Sequence, residues 1–179
     1  VFAFFCLIMT NLDVVIPVKD EAPNITQLVK RLHQALKSHK LDYRLIFVDG
    51  HSQDATLKKL QSLSSKYPIV VKIQSETLGK AQAIREGVQM AQTEYVALID
   101  GDLQYAPENL LDLLKLIPDC QVVLGNRKHS TETFTRKLVT FINRHIFSRL
   151  FLGLSYDIQS GIKIVKKDLP QEEIRVMLL

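Results

Sequence analysis

The 179-residue chain is 46% hydrophobic and 23% charged, which excludes a disordered or collagen-like protein and suits one globular domain with a substantial core. Its formal net charge is +4, and most of the excess lies between Arg127 and Lys167, where nine Lys or Arg residues stand against two acidic ones. This basic segment favours an anionic partner such as a phosphate or a membrane surface, although a charge-rich surface is often only a solvated face. Aromatic residues do not alternate with the basic ones, so nucleic acid is not expected as a partner.

The first nine residues, Val1–Met9, are apolar but too short to span a bilayer, which takes about 20 residues, and they lack the basic flank of a signal peptide. Two interpretations stay open: sequence upstream of a natural start at Met9, or a short interfacial anchor. We expect residues 10–179 to form a single domain. Cys6 and Cys120 show no metal-binding spacing, which favours a reducing compartment.

From residue 11 onward, the hydrophobic pattern alternates between strand and helix. Short apolar runs bounded by polar residues or proline predict five strands. They are Leu12–Ile16, which Pro17 is expected to end, Arg44–Val48, Ile69–Ile73, Tyr95–Ile99 and Gln121–Leu124. Apolar residues three or four positions apart predict four helices between them. These run from Ile25 to Leu36 with Asn24 as N-cap, from Leu57 to Leu63 after the turn Gly50–Asp54, from Ala81 to Ala91, and over Leu110–Leu114 with Pro107 in the first turn.

Strands separated by single helices predict an α/β fold, with a mainly parallel sheet, right-handed crossovers and helices on both faces. The chain has no G-x-G-x-x-G after its first strand and no P-loop sequence. Any phosphate-containing ligand would therefore be bound with the help of carboxylates and a metal ion.

The strongest candidate for a functional site is the end of Tyr95–Ile99, where the apolar run stops at Asp100-Gly101-Asp102. Ligands of parallel sheets bind in a crevice at the carboxyl ends of the strands. Alternation along an extended segment predicts that Asp100, Asp102 and Gln104 face one side. Such oxygen ligands suit Mg2+ or Mn2+, with Gln104 as a third ligand or as an orienting group. A solvated turn is the alternative, since Asp-Gly-Asp alone is common.

Five segments resemble, in order, the motifs of family 2 glycosyltransferases of GT-A fold. They are Ile16–Glu21, Val48–Thr56, Gly79–Gly87, Asp100–Gln104 and Gly125–Arg127. The resemblance is closest to polyprenyl-phosphate mannosyl- and glucosyltransferases of the dolichol-phosphate mannose synthase type, and it extends from Leu12 to about Leu169. Each motif alone is weak, but five in the right order on the expected elements make a strong signal.

The resemblance implies a nucleotide-sugar site at the strand ends and the loops that follow them. Its residues are Pro17, Lys19, Glu21, Val48, Asp49, Asp100, Gly101, Asp102, Gln104 and Arg127. Within this set, the resemblance implies that Asp100, Asp102 and Gln104 bind the metal and that Asp102 and Arg127 are catalytic. Asp49 would accept hydrogen bonds from the base, and Arg127 would bind a phosphate.

Two positions depart from the family pattern. Asp20 stands where the family commonly has Asn, and Asp49-Gly50-His51-Ser52 stands where it has Asp-Asp-Gly-Ser. Asp49, the first acidic residue of this motif, is kept, so binding of the nucleotide's base is still expected. Which nucleotide is preferred stays open. We expect His51 to be an exposed turn residue outside the site.

The basic segment contains a predicted helix, Thr133–Leu152, whose apolar face suits either an anionic membrane surface or core packing. Arg136 and Lys137, followed by Asp157–Ile162, resemble the acceptor-side region of the polyprenyl-phosphate enzymes, which implies that the two basic residues hold the acceptor phosphate. A phosphate is already anionic and needs positive groups, whereas a hydroxyl acceptor needs a base. The chain has no Trp, so it lacks the Gln-x-x-Arg-Trp signature of processive polysaccharide synthases.

The resemblance implies an enzyme that uses Mg2+ or Mn2+ to move mannose or glucose from GDP-mannose or a UDP-sugar to a polyprenyl or dolichyl phosphate. It would work peripherally at the cytoplasmic face of a membrane, with a membrane-anchoring partner as an option. Two alternatives stay open: a family 2 enzyme acting on a hydroxyl, and a non-catalytic GT-A module that binds a nucleotide or a partner. Because the family usually continues past Lys167-Asp168, we expect the domain to be truncated at its C-terminus.

Overall fold

The computed structural model describes residues 11–75, 79–117, 120–125, 160–167 and 176–178. Strands and helices alternate through most of this part of the chain, as the hydrophobic pattern predicts. In chain order the elements are β1 (Asn11–Val18), α1 (Ala22–Ser38), β2 (Asp42–Asp49), α2 (Thr56–Ser64), β3 (Ile69–Ile73), α3 (Lys80–Met90), β4 (Tyr95–Ile99), α4 (Asn109–Leu114), β5 (Val122–Leu124), β6 (Ile162–Lys166) and β7 (Val176–Leu178).

These strands form one sheet in the order β3-β2-β1-β4-β6-β5-β7. The neighbours from β3 to β4 are parallel, as are β5 and β7, whereas β6 is antiparallel to both β4 and β5. Buried residues of α1, α2 and α4 pack on one face, and those of α3 pack on the other. The prediction of a mainly parallel α/β sheet with helices on both faces is confirmed.

Strand β1 does not end at Pro17, contrary to the prediction. It continues to Val18, and Pro17 lies opposite Val48 in the register with β2. The strand tolerates proline here because β4 pairs only with Asp13–Val15, so position 17 has no ladder hydrogen bond to β4 to lose.

Two helix starts also differ from the prediction. Helix α1 begins at Ala22 with Glu21 as its N-cap residue, so Asn24 is not the cap and lies inside the first turn. Its amide donates instead to Glu21 Oε2 at 2.7 Å. Helix α4 begins at Asn109, and Pro107 lies in the turn just before it. Helix α1 starts early because Asp54 of the β2 loop accepts the Ala22 N–H and because Pro23 suits a first helical turn. The Pro107 carbonyl accepts the Leu110 N–H at 3.2 Å, so the chain already turns before α4 begins.

Strands β6 and β7 were not predicted. The Ile162–Lys166 segment is separated by many residues from its neighbours in the sheet, and its five residues give only a short period-2 pattern. The structure inserts it between β4 and β5, which places Gly161 beside the end of β4 through a hydrogen bond from Asp100 N–H to the Gly161 carbonyl at 2.9 Å.

Several predictions fall outside the described residues. They concern the leader Val1–Met9, the helix Thr133–Leu152, and the basic residues Arg127, Arg136 and Lys137. Within the part that the structure does describe, no helix combines the length and apolar character needed to cross a membrane.

Candidate functional site

A cleft of about 260 Å3 opens at the carboxyl ends of β1, β2 and β4, beside the first turn of α3. The loops that follow these strands carry the predicted site residues, and a ligand site at this edge is expected for a parallel sheet. Its lining residues are Pro17, Val18, Lys19, Glu21, Gly50, Gln74, Gly79, Lys80, Ala83, Asp100, Gly101 and Asp102. The structure therefore brings together the predicted residues of the first loop and those of the Asp-Gly-Asp segment.

The loops after β1 and β2 are fastened to each other by hydrogen bonds between side chains and backbone. Ser52 Oγ accepts the Asp20 N–H at 2.9 Å, and Asp20 Oδ1 accepts the Gln53 N–H at 2.6 Å. Asp54 Oδ2 accepts the Ala22 N–H at the start of α1 at 3.0 Å. These reciprocal bonds hold the first wall of the cleft in one conformation before any ligand arrives.

Each loop after β1, β2 and β4 contains one non-glycine residue with positive φ. They are Asp20 at 55°, His51 at 60° and Leu103 at 58°. The left-handed region costs most residues free energy but costs glycine none. This explains why the family motif Asp-Asp-Gly-Ser has Gly at the position that His51 occupies in this chain. His51 is exposed, so its prediction as a turn residue is confirmed.

The predicted base-binding residues are buried and do not line the cleft. Val48 and Asp49 are 0% and 2% exposed, and neither is among the described residues that line the cleft. The Asp49 carboxylate accepts the Ser52 hydroxyl at 2.5 Å and the Ser52 N–H at 3.0 Å. Asp49 thus shapes the loop that includes Gly50, and its role toward a base stays a prediction.

Replacing Asp49 with Ala is expected to weaken the binding of GDP or UDP without metal by about 1.5–3 kcal/mol, the usual contribution of a hydrogen bond to a charged group. Isothermal titration calorimetry measures this directly. The control is Ser52→Ala, which loosens the same loop and leaves the carboxylate in place. Equal losses in the two variants would show that Asp49 acts only by holding the loop.

Asp100 follows the last residue of β4, and its carboxylate occupies space that the absence of a side chain at Gly161 leaves open. A Cβ atom at position 161 would lie 2.5 Å from Asp100 Oδ2 and 2.8 Å from Tyr105 Cε2. Lys80, the first residue of α3, extends to Asp100 Oδ2 with its Nζ at 2.6 Å. Asp100 is therefore held between the antiparallel strand β6 and the start of α3.

The predicted alternation of Asp100, Asp102 and Gln104 along an extended segment is wrong. Strand β4 ends at Ile99, the chain turns at Gly101 and Asp102, and Leu103 has a positive φ. Asp102 Oδ1 accepts the Gln104 N–H at 3.0 Å, and Gln104 is not among the lining residues of the cleft. Asp100 and Asp102 nevertheless line the same cleft because the turn, rather than alternation, directs them there.

The donor set fits a hard divalent cation that shares its coordination shell with a ligand. Among the described residues, no three His, Cys, Asp or Glu side chains are grouped as a metal cage. Mg2+ and Mn2+ sites often use one or two carboxylates plus substrate phosphates, and Asp100 and Asp102 supply that pair. The metal ligands, Gln104 included, stay predictions.

Of the described lining residues that received no role in the sequence prediction, Lys80 and Gln74 are the two with polar side chains. Gln74 is 3% exposed and ties β2 to α3, since its N–H donates to the Asp49 carbonyl at 2.9 Å and its amide to the Gly79 carbonyl at 3.0 Å. Lys80 lies in the Gly79–Gly87 segment, which resembles a family motif. That resemblance was the feature of the sequence that could have identified Lys80 as a site residue.

Replacing Gly161 with Ala is expected to displace the Asp100 carboxylate and weaken Mn2+-dependent nucleotide binding by on the order of 10- to 100-fold, because small misplacements in a site are costly. Overpacking should also reduce stability by about 1–3 kcal/mol. Calorimetric titration and urea unfolding measure the two effects.

The matched control is Gly87→Ala, two turns along α3 from Lys80. A Cβ there would collide with Val15 Cγ1 and lie 3.2 Å from Val48 Cγ2, and neither residue lines the cleft, so it overpacks the protein without touching Asp100. We expect comparable destabilisation with nucleotide affinity retained. If both variants lose affinity equally, the effect comes from general destabilisation rather than from Asp100.

The family model for Glycosyl transferase family 2 matches residues 13–168. A dolichol-phosphate mannosyltransferase from Pyrococcus furiosus is 33% identical over 136 residues, which cover 73% of this chain and 38% of the relative. A dodecaprenyl-phosphate galacturonate synthase from Rhizobium johnstonii is 25% identical over 161 residues, covering 87% of this chain and 48% of the relative. The chain thus spans less than half of the length of either relative.

Among solved structures, a mannosyltransferase from Pyrobaculum calidifontis in complex with GDP-Man and Mn2+ superposes with a TM-score of 0.63 at 19% identity, covering 90% of this chain and 46% of that one. This likeness shows the fold, which is GT-A. The match of the family model to most of the chain shows the family. The chain belongs to glycosyl transferase family 2.

Proposed function

We propose that this chain carries the donor site of a metal-dependent glycosyltransferase that moves mannose or glucose from a nucleotide-diphospho-sugar to a polyprenyl or dolichyl phosphate. The observation that carries the proposal is the cleft in which Asp100 and Asp102 meet Lys19, Glu21 and Lys80. The names of the two relatives, a dolichol-phosphate mannosyltransferase and a dodecaprenyl-phosphate galacturonate synthase, support a lipid phosphate as acceptor.

The charges that line the cleft favour a divalent cation. The described lining contains three carboxylates and two lysines. A diphosphate would be repelled by this net negative charge unless a cation accompanied it. The Mn2+ in the structurally similar mannosyltransferase supports the same proposal. Asp100 and Asp102 would hold the ion, which, when bound, neutralises charge on the departing diphosphate.

The protein's own residues would bind and orient the two substrates. The loop of Lys19 and Glu21, held by the bonds to the β2 loop, would fix the nucleotide, and Lys80 would approach the diphosphate from the start of α3. Arg127, Arg136 and Lys137 would add positive groups for the phosphates. An acceptor phosphate attacks the anomeric carbon as an anion, so this proposal requires no base to deprotonate it.

The donor site is tested by thermal unfolding with GDP, UDP, GDP-mannose and UDP-glucose, with and without Mn2+. A true ligand at 100 times its dissociation constant should stabilise the protein by about 2.7 kcal/mol. The same panel identifies the nucleotide. If none of these compounds raises the unfolding temperature, the donor-site proposal fails.

The acceptor proposal is tested by a double variant in which Arg136 and Lys137 are both replaced by Gln. We expect transfer to polyprenyl phosphate in vesicles to fall by on the order of 100-fold or more while donor affinity persists, because a phosphate clamp acts on the acceptor alone. Activity of the parent should also decrease with added salt, because the basic segment is proposed to bind an anionic cytoplasmic membrane face.

The matched control neutralises Lys37 and Lys40, two exposed lysines at the end of α1, which changes the net charge equally. Parent-like transfer by the Arg136/Lys137 variant, or transfer by the parent only to hydroxyl acceptors, would reject the lipid-phosphate proposal. Nucleotide binding without transfer to either acceptor would favour a non-catalytic module. If the purified chain does not bind anionic vesicles, the proposal also requires a partner protein that anchors the chain to the membrane.

A further inference from the structure

Lys163 is a half-buried cation that the proposed function does not use. It lies in β6, where Ile162 and Ile164 belong to the core cluster on one face of the sheet and Val165 packs against the cluster on the other. Because side chains alternate along a strand, Lys163 lies with Val165 on the face that α3 covers. This is the face from which Lys80 enters the cleft.

The register of the sheet places Lys163 next to the end of β4. It lies opposite Leu98, two residues before Asp100, and Gly161 is two residues before it on the same face. The missing side chain at Gly161 leaves the space filled by the Asp100 carboxylate, so the path from Lys163 toward this carboxylate is not blocked by a side chain at position 161.

The electrostatic surroundings of Lys163 agree with this placement. Burial lowers the pKa of its ammonium group, Asp100 raises it, and Lys80 lowers it. Lys80 already forms the ion pair with Asp100 at 2.6 Å, and within the described chain no ion pair is formed by Lys163. The Asp100 carboxylate is thus already paired with Lys80, and Lys163 has no ion-pair partner of its own among the described residues.

A half-buried ammonium group without an ion-pair partner, next to the end of β4 that leads into the cleft, attracts an anion, and a phosphate oxygen is the anion that the proposed substrates carry. We infer that Lys163 is a phosphate-contacting residue, which acts together with Lys80 at the Asp100 end of the cleft. The inference rests on the proposed function only for the source of the phosphate, which is either the donor diphosphate or the acceptor phosphate.

The first experiment uses the unmodified protein and chemical labelling of lysines. The chain is reductively methylated with and without sodium pyrophosphate, GDP plus Mn2+, or farnesyl phosphate, and each lysine is quantified by peptide mass spectrometry. We expect a phosphate ligand to slow the methylation of Lys163 several-fold. Lys115, an exposed lysine at the C-terminal end of α4, is the internal control, and its rate of methylation should not change.

The three ligands separate the sources of the phosphate. Protection by GDP plus Mn2+ assigns Lys163 to the donor diphosphate, and protection by farnesyl phosphate alone assigns it to the acceptor. Protection by pyrophosphate without any nucleotide binding would support the phosphate contact while rejecting the proposed donor. Nucleotide binding that leaves Lys163 as reactive as before, with no protection by farnesyl phosphate, would reject the inference and leave the proposed function standing.

The second experiment compares Lys163→Met, Lys163→Arg and Lys115→Met. The Met variant keeps the length of the side chain and removes its charge, so we expect the affinity for the protecting ligand to fall on the order of tenfold or more. The Arg variant should recover much of this loss, and Lys115→Met should bind as the parent does. Parent-like affinity in a folded Lys163→Met protein would overturn the inference, and if that variant does not fold, the labelling result alone decides.

Discussion

Replacement of Arg44 with methionine is expected to lower the free energy of unfolding at pH 7 by about 3–5 kcal/mol, because it leaves a buried carboxylate without its counter-ion. That carboxylate belongs to Asp13 in β1, which is 1% exposed. The two side chains form a bidentate pair, with Arg44 Nε 2.8 Å from Asp13 Oδ1 and Arg44 Nη2 2.6 Å from Oδ2.

The pair joins three segments at the amino-terminal edge of the sheet, opposite the cleft. Asp13 Oδ2 also accepts the N–H groups of Gln92 and Thr93, at 2.6 and 3.3 Å, and the Asp13 N–H donates to Thr93 Oγ1 at 3.1 Å. Asp13 thus connects β1 to β2 and to the loop before β4. We expect loss of the pair to affect stability and not the ligand affinity of protein that remains folded.

The pH dependence follows from the pKa of Asp13. Burial alone would raise this pKa, but the bonds from Arg44, Gln92 and Thr93 together lower it below the usual value of 3.8. A group with a lowered folded-state pKa stabilises the protein above its unfolded pKa, and that contribution is lost as the pH falls through the folded-state pKa. Without Arg44, burial should raise the pKa, so the stability difference between parent and variant should shrink as the pH falls through the aspartate range.

The chain offers a matched control in Arg31→Met. Arg31 forms the same bidentate geometry with Glu108, at 2.8 and 2.6 Å, but the Glu108 side chain is 48% exposed. Loss of an exposed pair should cost less than about 1 kcal/mol. Urea unfolding of both variants between pH 3 and 7 measures the contrast. Equal losses would show that burial does not decide the cost, and a pH-independent loss for Arg44→Met would show that Asp13 is not the group responsible.

The elements that could be predicted from the sequence are those set by a continuous local pattern. Strands β3 and β4 have the predicted bounds, Ile69–Ile73 and Tyr95–Ile99, because each is an apolar run that polar or turn residues bound on both sides. The cleft was also predictable in outline, because the carboxyl ends of parallel strands meet at one edge of the sheet.

The predictions that failed depend on tertiary contacts or on turn geometry. Whether Pro17 ends β1 depends on the length of the pairing with β4, which no local pattern shows. The direction of Asp102 depends on the turn that Leu103 makes with its positive φ. The place of Lys163 depends on β6 crossing into the sheet as an antiparallel strand between β4 and β5. None of these is encoded in the identity of the residue alone.

Replacement of Asp102 with asparagine is expected to weaken Mn2+-dependent nucleotide binding by more than about 100-fold, because loss of a group that only orients a metal ligand already costs 10- to 100-fold. Transfer should fall by on the order of 100- to 1000-fold, as when a positioned electrostatic group is removed from an active site. Calorimetric titration with GDP or UDP, with and without Mn2+, measures the first effect.

The fold should survive this change. Asn keeps an oxygen that can accept the Gln104 N–H, now bonded to Asp102 Oδ1 at 3.0 Å, so the turn after β4 loses no hydrogen bond. Asp100 and Asp102 line one cleft, and removing one negative charge should relieve repulsion in the metal-free protein. We therefore expect the stability of the variant to equal or exceed that of the parent.

The control for charge is Asp112→Asn in α4, where a carboxylate that is 53% exposed pairs with Lys115 away from the cleft. It changes the net charge by the same amount and should leave nucleotide binding unaltered. Unchanged Mn2+-dependent binding in Asp102→Asn would remove Asp102 from the metal site. If nucleotide binding persists while transfer is lost, Asp102 acts in the reaction itself. Loss of a metal ligand would also have weakened the Mn2+-dependent binding of the nucleotide.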